Sequence, residues 1–290
     1  MRRGFFFTAL FLGMFLALLS FAVFYKSSVQ AWDVYVSQKQ AGGKIADTAD
    51  DIKWDLRQLL GISGLSIGRS GATTTVALSA RIPSAAADPG AALAAYAAFV
   101  AGNYSQRAGA NATLDAASLA APSVYFDQPG FNVSWGNPSQ ESLVADSASL
   151  VAVESRGRLS AACNGTGVPR CAFVSPSWSW VPCGAGTLNV SLRVTDPGGS
   201  AVSVNGAESG CVSASAANNL TVVGDGGNLT FSAGTVGSKS PAFGIGVTGS
   251  IGYDSVLSAN LSYSGPVRAR LPVSLSVNGR AFGSLVLAEG

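Results

Sequence analysis

Asparagine carries the clearest chemistry in this 290-residue chain. Eight of its twelve asparagines head an Asn-X-Ser/Thr triplet without Pro at X: Asn103, Asn111, Asn132, Asn164, Asn189, Asn219, Asn228 and Asn260. Each triplet is an acceptor for an N-linked glycan. Ser and Thr make up 52 residues, and chance at that content predicts about two triplets. Sulfur is the second resource. Cys163, Cys171, Cys183 and Cys211 lie within 49 residues. An even count outside the cell implies two disulfides, with three connectivities open. The expectation is local pairing, Cys163 with Cys171 and Cys183 with Cys211. The spacings are not those of a zinc ribbon. A third feature is Trp178-Ser179-Trp180, where alternation along a strand puts both indoles on one face. Exposed, they would stack on sugar rings; buried, they would cover the core or a disulfide.

Catalytic groups are scarce. There is no His, which removes Ser-His-Asp and Cys-His catalysis and imidazole ligation. Paired carboxylates, a Ser-Lys dyad or a bound metal remain. Beyond Gly61 only 11 residues are acidic, and Lys239 is the only lysine. Glu141, Asp146 and Glu154 are close in sequence and read as solvated positions. No phosphate-binding Gly loop is present. The expectation is a protein that is not an enzyme, with no catalytic residue, cofactor or metal.

Composition narrows the class. Hydrophobic residues are 48% of the chain, charged residues 12%, and the net charge is +2. That excludes charge-driven disorder. The basic residues form no run longer than Arg2-Arg3, which argues against nucleic acid as a partner.

These groups need elements to carry them. Residues 1–4 read as a cytoplasmic N-terminus. Residues 5–24, Phe5 to Phe24, contain no charge, and as a helix they rise about 30 Å, the thickness of a bilayer core. Arg2 and Arg3 keep the short N-terminus inside and put everything after Tyr25 outside. An uncleaved signal anchor is the expectation, because the run is longer than a signal-peptide core. A cleaved signal, cut after Ala22 or Ala31, is the alternative. Residues 25–61 read as a helical stalk with an apolar stripe at Ile45, Ala49, Ile52, Leu56 and Leu59. Gly42-Gly43 would kink or break it, and Gly61 would cap it. The stalk either leans on the globular part or self-associates.

Arg2-Arg3-Gly4-Phe5-Phe6-Phe7-Thr8 resembles the processing site of type IV prepilins and related archaeal surface proteins. The resemblance covers some 24 residues. It implies a cut between Gly4 and Phe5, with the apolar helix then packed in a filament core. Position five of that mature chain would be Ala9, where many pilins carry Glu. Together with the dense acceptor triplets and low charge, this start resembles an archaeal membrane-anchored surface protein.

The remainder reads as a small Ala-rich α+β module over 62–122, then a β-sandwich ectodomain over 123–290. In the module, Thr73–Ile82 is a strand, and Asp88-Pro89 opens a helix reaching about Ala101. Candidate strands beyond it include Ser123–Asp127, Phe131–Trp135, Leu150–Val153, Ala172–Val174, Leu188–Val194, Leu220–Val223, Gly244–Ile251, Val256–Tyr263 and Leu271–Val277. Asn278-Gly279 marks a hairpin between Leu271–Val277 and Arg280–Leu287. Short strands with no helices between them point to an antiparallel sandwich. Alternation turns Asn132, Asn189, Asn219, Asn228 and Asn260 away from their apolar neighbours. The fold class expected is mainly β behind an N-terminal transmembrane helix. The role expected is structural or adhesive, on a cell membrane with the C-terminal part extracellular. A surface polysaccharide or a neighbouring surface protein would be the contact. The alternatives are a pilin-like filament subunit and an envelope protein that binds or cleaves polysaccharide.

Overall fold

The computed structural model describes residues 2–82, 89–104, 106, 111–115, 122–127, 130–135, 141–160, 172–174, 178–195, 197, 201–202, 209–224 and 226–290. Two compact units divide the chain, Met1–Asp50 and Asp51–Gly290.

The first unit is helical. Helix α1 runs Arg2–Leu59, its last turns belonging to the second unit. It passes through Gly42 and Gly43 without the break that these residues made one expectation. Two glycines cost a helix about 2 kcal/mol relative to alanine, and the good helix formers around them (Lys39, Gln40, Ala41, Lys44) offset that. Among the described residues no helix is long and apolar enough to cross a membrane. The side chains of residues 1–19, which carry most of the apolar run and the site expected between Gly4 and Phe5, lie outside the description. Further along, Phe21, Phe24, Tyr25, Val29, Trp32, Tyr35 and Val36 are exposed. At about 100° per residue they fall in one sector roughly 140° wide, while the exposed Val23 and Val34 lie on the opposite side of the helix. The Trp32 and Tyr35 rings meet edge to face, centroids 6.0 Å apart.

The second unit begins at Asp51, within α1. Leu60 N–H donates to Leu56 O and Gly61 N–H to Gln58 O, and Gly61 takes φ 68°. Only glycine suits this cap, since a Cβ there would lie 2.5 Å from the Arg81 carbonyl oxygen. The strands that follow are β1 (Ile62–Ser70), β2 (Thr73–Ile82), β3 (Ala112–Leu114), β4 (Ser123–Asp127), β5 (Phe131–Trp135), β6 (Glu141–Asp146), β7 (Leu150–Leu159), β8 (Ala172–Val174), β9 (Thr187–Thr195) and β10 (Ala201–Val202). Then come β11 (Ser209–Ser213), β12 (Ala217–Gly224), β13 (Gly227–Val236), β14 (Lys239–Gly249), β15 (Tyr253–Leu261), β16 (Arg268–Leu271), β17 (Leu275–Val277), β18 (Arg280–Phe282) and β19 (Leu285–Glu289). Helix α2 (Pro89–Phe99) lies between β2 and β3 and runs into a π-helical turn, Val100–Tyr104.

One sheet has the order β1-β2-β15-β7-β9-β10, with β11 also on β9; the other runs β19-β16-β4-β5-β6-β14-β13-β12-β8. A small third sheet is β18-β17-β3. The two large sheets bury alternate residues between them. Leu188, Val190, Leu192 and Val194 of β9 are buried, as are Leu229, Phe231 and Ala233 of β13. The Phe231 and Tyr253 rings meet across this interior, centroids 5.9 Å apart at 82°. Alternation written into each strand therefore builds a two-layer sandwich.

Three expectations change. Strands β1 and β2 hydrogen-bond into the β15 and β7 sheet, so residues 62–82 do not stand apart from the 123–290 sandwich. The sheet is not wholly antiparallel, because β7 and β9 run parallel, Ala152 opposite Asn189 through Arg158 opposite Thr195. The long connection between them carries β8 into the other sheet, and a crossover of that length lets a chain return in its original direction. The expected C-terminal hairpin forms, with Asn278 at φ 50° and Gly279 at φ 79°. Each of its arms, however, is divided between two sheets, β16 and β19 in the nine-stranded one and β17 and β18 in the small one. Pro272, which lacks an N–H, and Gly283 stand at the bends.

Candidate functional site

The six acceptor asparagines with described side chains are exposed or half-buried. Asn189 is exposed between buried Leu188 and Val190. Asn132, Asn219, Asn228 and Asn260 are half-buried, each beside buried Phe131, Leu220, Leu229 and Leu261 respectively. Asn111 is exposed at the start of β3. Asn103 falls in the π-helical turn, its side chain outside the description, and Asn164 lies outside the described residues. Where an acceptor amide is held, the oxygen is used. Asn260 Oδ1 accepts from Thr75 Oγ1 at 2.8 Å, and Asn219 Oδ1 from Ser232 Oγ at 2.7 Å. A glycan attaches to the nitrogen.

Two asparagines outside acceptor triplets are used differently. Asn218 is buried, 3% exposed. Its Nδ2 donates to Ala216 O at 3.1 Å and Ala233 O at 3.3 Å, while its Oδ1 accepts from Ser179 N–H at 3.3 Å. Asn278 turns the C-terminal hairpin, and its Oδ1 accepts from Asn111 N–H at 2.7 Å. The Gly279 that follows Asn278 marks its turn in the sequence; nothing beyond the missing Ser or Thr separates Asn218 from the others.

Cys183 and Cys211 form the expected disulfide, with Cα atoms 5.2 Å apart. The second expected pair, Cys163 and Cys171, lies outside the described residues. The bond ties the Val181–Cys183 approach to β11, where Val181 N–H donates to Cys211 O at 2.8 Å. Trp178 and Trp180 precede it. Neither lies in a ladder strand, which corrects the expected strand; Val181, next to Trp180, bridges to Cys211. Both are half-buried. Their rings meet edge to face, centroids 5.3 Å apart at 77°. A Cβ on Gly210 would come within 2.5 Å of Trp180 Cε3, so that indole lies flat on the Gly210 backbone. The pair packs against the disulfide strand and forms no coplanar platform.

The carboxylates do not converge. Asp146 stands on the outer face of the nine-stranded sheet, in register with Asn132 and Ala242. Glu154 stands on the outer face of the other sheet, bonded to Arg156 Nε at 2.6 Å. The side chain of Glu141 is outside the description. Among the described residues no group of three or more His, Cys, Asp or Glu could hold a metal ion. The Ser-Lys possibility has one geometric counterpart. Lys239 Nζ donates to Asp146 Oδ1 at 2.7 Å and to Ser134 Oγ at 3.2 Å. A general base would take a proton from the serine; here the lysine gives one to it, and the ion pair ties β14 to β6 and β5.

One concavity was not foreseen. Next to these groups, the outer face of the nine-stranded sheet holds a trough of about 480 Å³, lined by Val144, Asn219, Thr230, Ser232, Gly244 and Thr248. Gly244 leaves it open between Val236 and Ser232. Its lining is hydroxyl, amide and methyl, with no charged group.

Comparison of the chain with protein-family models, with curated proteins and with solved structures gives no match.

Proposed function

We propose that this chain is a single-pass surface protein, held in a membrane by residues 5–24, N-glycosylated on the outer faces of its sandwich, and structural or adhesive in role. The number of triplets and the exposure of their asparagines carry the reading. All six acceptor asparagines with described side chains are exposed or half-buried, and among the described asparagines the buried one is Asn218, which heads no triplet. Strand alternation alone turns a polar asparagine outward; what composition does not supply is the number, eight triplets where about two are expected. The low charge of 12% agrees, since attached sugars would hydrate a surface that few ionised groups hydrate.

A second reading, a pilin-like filament subunit processed after Gly4, is favoured by the exposed apolar sector between Phe21 and Val36. Helices with such a sector pack side by side. One experiment addresses both: peptide mapping by mass spectrometry of the protein taken from its native membrane. The anchored glycoprotein gives a chain beginning at Met1 or Arg2, with sugars on the acceptor asparagines. A chain beginning at Phe5 puts the filament first. Bare asparagines throughout overturn the glycoprotein.

A further inference from the structure

The outer face of the seven-stranded sheet gathers arginine. Register places Arg156 of β7 directly opposite Arg193 of β9, and Arg158 opposite Thr195. Across β15, Val256 stands opposite Arg156, and Asp254 opposite both Arg158 and Arg81. Beyond Gly61 the chain has ten arginines and one lysine, and four of these arginines fall on this one face. Two described acids answer them. Glu154 pairs with Arg156, and Asp254 with Arg81 at 3.6 Å. The described side chains here therefore leave two positive charges unmatched, on a chain whose whole net charge is +2.

Like charges directly opposite on neighbouring strands destabilise a sheet; here Glu154 answers Arg156, and no described acid answers Arg193. Two of the guanidiniums are held in place, Arg156 by Glu154 and Arg158 by the Pro197 carbonyl. Arg193 is exposed and has no hydrogen bond or ion pair among the described residues. Between them is a shallow, open depression of about 380 Å³ floored by Gly157, Thr195 and Val256. It has no deep apolar pocket of the kind that seats the anchor residue of a protein partner. What it offers is planar, forked donors, carried on backbone positions about 5 Å apart across strands and about 7 Å apart along one.

We infer that this face, Arg156, Arg158 and Arg193 above all, binds an acidic polysaccharide through its carboxylate or sulfate groups. Forked donors suit carboxylate and sulfate groups, and an open sheet face accepts an extended polymer. The site goes beyond the anchored-glycoprotein reading and needs neither the anchor nor the glycans.

The test uses full-length protein in detergent and four immobilised polymers: polygalacturonate, dextran sulfate, neutral dextran and poly-glutamate. Binding to the two acidic polysaccharides and not to dextran is expected, fading as salt rises from about 0.05 to 0.5 M. Arg158→Gln with Arg193→Gln should weaken it roughly tenfold or more. Arg268→Gln with Arg280→Gln, which removes the same charge elsewhere, should leave it unchanged. Arg193→Gln alone, at an exposed and unpaired position, keeps the test readable should the double variant fold poorly; it should weaken binding several-fold. The inference is overturned if neither acidic polysaccharide binds, if both double variants weaken binding equally, or if poly-glutamate binds as well as the polysaccharides.

Discussion

The ring of Tyr253 lies on the backbone of Gly157. A Cβ at Gly157 would press on Tyr253 Cζ and lie 2.5 Å from Tyr253 Cε2. The ring crosses β7 over this gap and brings its hydroxyl within 3.4 Å of Ser155 Oγ, where both residues are buried. Replacing Gly157 with Ala must therefore move the ring or bend the strand. We expect Gly157→Ala to lose about 2–3 kcal/mol of stability, read as a lower midpoint in denaturant at constant slope. Gly283→Ala, with open space around it, should cost far less.

The same ring gives an alkaline signature. Burial pushes the Tyr253 phenol well above its ordinary range. The unfolded chain releases that proton near pH 10, and the folded chain keeps it. Above that pH the unfolded state binds fewer protons, so stability falls as pH rises, by up to about 1.4 kcal/mol per unit from this group. Tyr253→Phe should flatten the fall by that amount in unfolding curves measured from pH 9 to 11. An unchanged slope would mean that the phenol ionises in the folded protein.

The Cys183–Cys211 bond closes a 28-residue separation. In the chain-entropy account it stabilises by about 3–4 kcal/mol. Replacing both by Ala should show that loss, while Cys183 and Cys211 peptides should migrate as one linked species before reduction and as two after it. Any other partner for Cys211 would contradict the connectivity.

The two kinds of asparagine should part under mutation. Asn218→Ala removes its bonds to the Ala216 and Ala233 carbonyls and to the Ser179 N–H, though Ala216 O keeps the Thr235 N–H, and should cost about 1–3 kcal/mol. Asn189→Gln, at an exposed strand position, should stay within about 0.5 kcal/mol in unglycosylated protein. Equal effects would remove the structural distinction between them.

How much of this was legible follows from range. Leu188–Val194 announces its own inner and outer faces, and Phe131–Trp135 likewise, because alternation is a property of the strand itself. Asn278-Gly279 announces its turn because only such residues take those φ values cheaply. The union of β2 with β15 is different. It joins residues some 180 positions apart, and no local pattern in Thr73–Ile82 names a partner. Strand β1 went unforeseen because Gly64 and Gly68 thin its alternation. The trough beside Asn219 and the arginine face arise from residues on separate strands that meet only once the register is set. Trp178 and Trp180 suggested a stacking platform, and what decides otherwise is Gly210, a residue with no side chain to signal its role.

The divided C-terminal hairpin has a mechanical meaning. Its two arms form one ribbon, paired through β16 with β19 and through β17 with β18, yet its halves belong to different sheets. A load pulling on the ribbon is shared between the β4 and β3 neighbours at once. Their hydrogen bonds would then strain in parallel and give way together, so the fold would resist tension as a clasp does rather than open as a zipper. In single-molecule stretching, one abrupt rupture of the second unit would mark the clasp, and a series of small steps beginning at this ribbon would rule it out.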